Sequence, residues 1–147
     1  MVQSLLSNPS LNLLEKVAAF GERRHAVLAG NIANIMTPTY RMRDLPVAAF
    51  QNALREAVER QHAGPAAAAA DAQTSNGRAK GIDDLFPARL FQSVTADPRN
   101  LTFQDANNRS IERQTMELTK NSMMQSLALE LIRFQLNTMQ SIISERP

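Results

Sequence analysis

The side chains able to take part in chemistry are few: His25 and His62, the adjacent carboxylates Asp83 and Asp84, and the arginines Arg23, Arg24, Arg41 and Arg43. A lone histidine on the apolar face of a helix, where the spacing below puts His25, reads as a packing or interface residue, and His62 as a solvated one. Asp83 and Asp84 are neighbours in the chain, so their carboxylates diverge and do not form the facing acid and base of a hydrolase. There is no G-x-S-x-G, no glycine-rich phosphate loop, no H-E-x-x-H and no acidic calcium loop. The absence of cysteine removes disulfides, thiolate zinc sites, iron–sulfur clusters and a cysteine nucleophile together. Neither catalysis nor a cofactor or metal site is expected.

The four arginines leave one chemistry open, contact with phosphate. A soluble helical adaptor or regulator that binds nucleic acid through Arg23, Arg24, Arg41 and Arg43 is the alternative reading, set against the plainer one of a solvated helix face and a basic loop. A net charge of +2 and a pI near 9.5 are too mild a surplus to choose a partner.

The elements carrying these residues are predicted to be helical. The 147 residues, 44% hydrophobic and 20% charged, suit one modest domain. Aromatics are only 5%, and five Gly and seven Pro are too few to turn the hairpins of an all-β protein. Ser10 precedes a helical pattern over 11–34 in which Leu11, Leu14, Ala18, Gly21, His25, Leu28, Ile32 and Ile35 mark one face. Pro38 bars Thr37 from the α region, and Asn34 is the expected left-handed residue at the helix end.

A shorter amphipathic helix is predicted over 47–61, with Phe50, Leu54 and Val58 inward. The alanine-rich, polar stretch 64–81 reads as a linker or loop, with a helical turn in the alanines as the alternative. The proline-broken stretch 82–106 reads as irregular, with at most one short strand near 90–94. The corresponding divisions are 1–44, 45–63, 64–81, 82–106 and 107–147.

The strongest pattern is one continuous helix from about 107 to 144, with no Pro or Gly inside. Leu118, Leu129, Ile132, Leu136, Met139 and Ile143 form one track, Met116, Met123, Leu127 and Phe134 a neighbouring one, and Met124, Leu131 and Ile142 widen it. Apolar on more than one stripe, it is expected to be buried on two sides. If Leu129, Ile132, Leu136, Met139 and Ile143 face the N-terminal helix, Leu127, Leu131 and Phe134 are left for neighbouring subunits; the reverse assignment of the two tracks is the alternative. No stretch approaches the roughly 18 apolar residues of a membrane span, and residues 1–12 lack the charged start and apolar run of a cleavable signal.

One local run is far more specific. Leu28, Ala29, Asn31, Ile32, Ala33 and Asn34, followed by Thr37, Pro38 and Tyr40, resemble the N-terminal signature of bacterial flagellar basal-body rod and hook proteins, L-A-x-N-I-A-N then x-x-T-P-G-Y. Thr39 stands where that family has Gly, and Met36 where it often has Asp or Asn. Asp105, Ala106, Asn107 and Asn108, running on to Glu112, look like a worn form of the D-G-N-x-V-x-x-x-x-E stretch before the last helix, again with the Gly replaced. The short chain is most similar to the family's small proximal rod subunits. The resemblance implies a mainly α fold whose long terminal helices pack antiparallel as a coiled coil. It implies a structural subunit of a hollow helical rod that transmits torque and conducts exported proteins. The implied partners are the chain itself, other rod proteins, the export gate or membrane-ring adaptor at the rod base, and the flagellar type III export apparatus, without nucleic acid or insertion into a bilayer. The implied location is the periplasmic rod of the basal body, reached without a cleaved signal peptide.

Overall fold

The computed structural model describes residues 9–74, 82–96 and 110–144. The described chain is mostly helical: α1 (Pro9–Ala33), α2 (Val47–Thr74), the single turn α3 (Ile82–Leu85) and α4 (Ile111–Ser144), with a short 3-10 helix at Ala88–Phe91. Two strands of two residues, β1 (Arg43–Asp44) and β2 (Val94–Thr95), pair antiparallel, Arg43 opposite Thr95 and Asp44 opposite Val94.

Each boundary has a local cause. Pro9 opens α1, where its missing N–H costs nothing and its fixed φ suits the first turn. Ser110 caps α4, its Oγ accepting the Arg113 N–H at 3.3 Å. After Ala33 the chain tightens through Ile35 N–H to Ile32 O at 3.3 Å and Thr37 N–H to Asn34 O at 3.0 Å. The left-handed residue is not Asn34 but Thr39, whose φ is 62°. It is the third residue of the turn closed by Tyr40 N–H to Thr37 O at 3.3 Å. With Pro38 second and a positive φ third, the turn has the type II pattern, whose third position favours glycine.

Two stretches differ from the sequence expectation. α2 continues past 63 to Thr74, so 64–74 is helical where a linker is predicted; alanine, the best helix former, follows Gly64 and Pro65 five times. Residues 75–81 of the predicted linker lie outside the described residues, as does the worn motif at 105–109. Leu90 belongs not to a strand but to the 3-10 helix, which follows extended Pro87, and the strand comes later, at Val94.

The apolar core lies between α1, α2 and the segment 85–91. Leu13 and Phe20 of α1, Phe50 and Ala57 of α2, and Leu45, Phe86 and Leu90 form one buried cluster. Phe20 and Phe50 stack with ring centroids 3.9 Å apart, and Phe91 meets both edge-on at 6.2 Å. Removing the Phe50 ring would cost about 3–5 kcal/mol. No residue of α4 belongs to this cluster, so α4 is held by other means.

Candidate assembly surface

Those means are polar. Asn31, only 1% exposed, uses every hydrogen-bonding position its amide has. Its Nδ2 donates to Arg43 O at 2.6 Å and to Gln114 Oε1 at 3.3 Å, and its Oδ1 accepts from Arg43 N at 3.0 Å and Tyr40 Oη at 3.2 Å. One side chain of α1 thereby stands in for a strand edge beside β1, receives the end of the Thr37–Tyr40 turn and holds α4. Two turns lower, buried Arg24 donates through Nε and Nη2 to the two oxygens of Asp44, both at 2.9 Å, and from Nη2 to Glu117 at 2.9 Å. The hydrogen bonds to Asp44 raise the guanidinium pKa above its ordinary value against the opposing effect of burial, with Glu117 adding to the rise. Lower still, Asn121 Nδ2 donates to Gly21 O at 2.7 Å. There the missing side chain of Gly21 leaves room for Gln125, whose Cβ would lie 3.4 Å from an added methyl.

α4 is inside out as a result. Its buried residues are Gln114, Asn121 and Ala128, seven apart, while large apolar side chains face solvent. Of the residues assigned to the helix interface, Ile132 and Met139 are half-buried, while Leu127, Leu129, Leu131, Phe134, Leu136 and Ile143 are exposed, Phe134 to 69% and Leu127 to 61%. The single track assigned to α1 therefore splits: Leu129, Leu136 and Ile143, at seven-residue steps, lie on a flank of α4 and not against α1. Polar Gln114 and Asn121 take the seam instead, because Gln114 reaches Asn31 and Asn121 reaches the Gly21 carbonyl. A further exposed set, Met116, Met123 and Met124, continues the apolar surface toward the start of α4.

In the N-terminal signature, Leu28 and Asn31 are buried, Ile32 and Asn34 half-buried, and Ala29, Ala33, Thr37 and Pro38 exposed. Tyr40, half-buried, turns its hydroxyl back to Asn31. Asn34 Nδ2 donates to Gly30 O at 2.9 Å. The signature thus encodes a helix end, a turn and one polar hub. Gln114, Glu117, Asn121 and Asp44 escape the sequence reading, although polar residues at 114, 121 and 135, with alanine at 128, already carry a heptad step.

The residues first weighed for chemistry are dispersed. His25 is exposed and not on a packed face, lining a shallow polar groove with Glu22, Ser122 and Gln125. His62 is exposed, and Asp83 forms a surface ion pair with Lys16 at 2.8 Å. Of the four arginines of the nucleic-acid reading, Arg23, Arg41 and Arg43 are exposed but Arg24 is buried between two carboxylates and unavailable to phosphate. Among the described residues no group of His, Cys, Asp and Glu is arranged to hold a metal, and no helix is long and apolar enough to cross a membrane.

No family model matches the chain. Its sequence is 30% identical over 136 residues to the flagellar basal body rod protein FlgB of Aquifex aeolicus (strain VF5), covering 92% of this chain and 94% of that protein. The chain belongs to the FlgB family of flagellar basal-body rod proteins. A FlgB-family chain is a structural protein and not an enzyme, and its role lies in the rod of the flagellar basal body. Within that family the outward apolar faces of α4 are the surfaces that need explaining, since an isolated helix gains nothing by wetting them.

Proposed function

We propose that this chain is a self-assembling subunit of the proximal rod, whose terminal helices pack antiparallel as a coiled coil and join neighbouring subunits into a hollow helical drive shaft that transmits torque and conducts exported proteins. The antiparallel arrangement is supported by the ladder of contacts in which Gly21, Arg24 and Asn31 meet Asn121, Glu117 and Gln114 in reverse order. Assembly is supported by one observation above the rest: α4 buries polar residues within the chain and exposes Leu127, Leu129, Leu136 and Ile143 outside it. Such patches mark interaction surfaces. The partners in this reading are further copies, other rod proteins, and the export gate or ring adaptor at the rod base. Delivery is through the flagellar type III export apparatus to the periplasm.

The test uses Leu127→Asp and Leu136→Asp. Both side chains are exposed in the single chain, so each variant should unfold in urea within about 0.5 kcal/mol of the parent. In a cell that depends on this protein, both should be exported yet fail to build a rod, since a buried unpaired carboxylate costs several kcal/mol at a subunit interface. Normal swimming by both variants would remove α4 from the assembly contacts.

A further inference from the structure

An apolar groove of about 470 Å³ opens between the start of α1, the middle of α2 and the second half of α4. Leu14 and Val17, Leu54 and Val58, and Leu131 and Phe134 supply its three walls, and no charged side chain lines it. Leu54 and Gln61 mark its ends on α2, about 10.5 Å apart along the helix. Gln135 borders the same groove, and its Oε1 is buried without a hydrogen-bond donor. An occupant that fits is apolar and uncharged, about two helical turns long, and able to donate one hydrogen bond.

α4 carries a ridge of that description on its other flank. Leu136 and Ile143 are exposed, also about 10.5 Å apart along the helix, and Gln140 stands exposed between them with an amide to donate. Over 134–144 the helix has no charged side chain. Leu136 and Ile143 lie roughly 160° around α4 from Leu131 and Phe134, with buried Asn121 and Ala128 between the two flanks. Ridge and groove of one molecule therefore face different ways and cannot meet within it. Two grooves set face to face would enclose a void, and two ridges together would leave both grooves open. Ridge against groove fills both.

From this we infer that a second copy of this chain fills the groove, its 136–143 ridge seated between α1, α2 and α4 and its Gln140 amide donating to Gln135 Oε1. The two surfaces differ, so the contact is head-to-tail: each copy gives one ridge and receives one, and copies add in one direction or close into a ring. This contact rests on the assembly reading above and adds to it which faces meet.

The test is association of the purified full-length chain, followed by sedimentation over a concentration series. A groove variant, Phe134→Asp, and a ridge variant, Leu136→Asp with Ile143→Asp, alter only exposed side chains. Unchanged urea midpoints check that the fold is kept, and Val58→Asp serves as a second groove variant. The parent should pass beyond the dimer as concentration rises. Each variant alone should need at least about a hundredfold more protein to associate, since an unpaired carboxylate would be buried. An equal mixture of the two should regain the parent's affinity and stop at a dimer, whose remaining groove and remaining ridge are both spoiled. Dimers from either variant alone at the parent's concentration would overturn the proposal in favour of a face that meets its own copy. A mixture that stays monomeric would overturn it, and so would a parent still monomeric at about 1 mM. None of these outcomes bears on swimming by Leu127→Asp, so this contact can fail while the rod reading stands.

Discussion

Tyr40 Oη lies 3.2 Å from Asn31 Oδ1, so the last residue of the signature is bonded to its buried asparagine across the turn between them. The same amide pairs with both backbone polar groups of Arg43 and with Gln114. A short motif thus specifies how the helix end, the turn and the first strand close on one another.

Replacing Asn31 by Leu should be costly for that reason. Arg43 N–H and C=O would lose their partner at a half-buried place and the Gln114 amide at a buried one, and stability should fall by about 3 kcal/mol. Tyr40→Phe removes one bond at a half-buried site and should cost about 1 kcal/mol. Urea unfolding followed by circular dichroism ranks the two, and equal small losses would contradict the hub.

Thr39 holds a φ of 62° in a turn position that favours glycine. Left-handed backbone costs a β-branched residue about 1–2 kcal/mol, partly offset in a glycine variant by the greater freedom of the unfolded chain. Thr39→Gly should therefore raise stability by about 0.5–1 kcal/mol, read as a higher urea midpoint at unchanged slope. A lower midpoint would mean that the Thr39 hydroxyl, which donates to Pro38 O at 2.6 Å, outweighs the strain.

Arg24→Lys keeps the charge and loses the two-pronged contact with Asp44, so it should cost about 2 kcal/mol. Folding raises the Arg24 pKa. The stability it contributes is thus complete below the ordinary arginine range and lost only as pH climbs through the raised value. Between pH 6 and 9 the parent's stability should show no slope arising from this group. A slope that vanished in Arg24→Lys would contradict that sign.

Gly30 sits in the last turn of α1, and a methyl added there meets nothing within 4 Å. Gly30→Ala should stabilise the free chain by up to about 1 kcal/mol through helix propensity. A gain in the melting midpoint with loss of swimming would locate a neighbouring subunit against this bare turn. A gain with normal swimming would leave the turn uncovered in the rod.

Much of this was legible in the residues, and the misreadings share a cause. The helices α1 and α4 follow from apolar spacing, helped in α4 by the absence of Pro and Gly, and the signature from Leu28 to Tyr40 points to the family. Periodicity leaves the orientation of α4 open, because it marks which side chains are to be buried, not by which chain. Either apolar track could face α1 by spacing alone, whereas the seam is taken by Gln114 and Asn121, residues that burial arguments normally place outside. The paired dipeptides Arg43–Asp44 and Val94–Thr95 are too short for any alternation to reveal. α2 outran its predicted end because a composition typical of linkers is also rich in the best helix former.

The polar seam has a mechanical consequence. A seam of leucines tolerates slippage, one methyl sliding past another into an equivalent hole. Between α1 and α4 a shift of one helical turn, about 5.4 Å, would strip Asn121 from the Gly21 carbonyl, Glu117 from Arg24 and Gln114 from Asn31 at the same moment. The three links span ten residues of α1, so a rigid slide of one helix along the other loads all three together. Under shear along its length, the pair should behave as a bolt with three detents, stiff until all give way together.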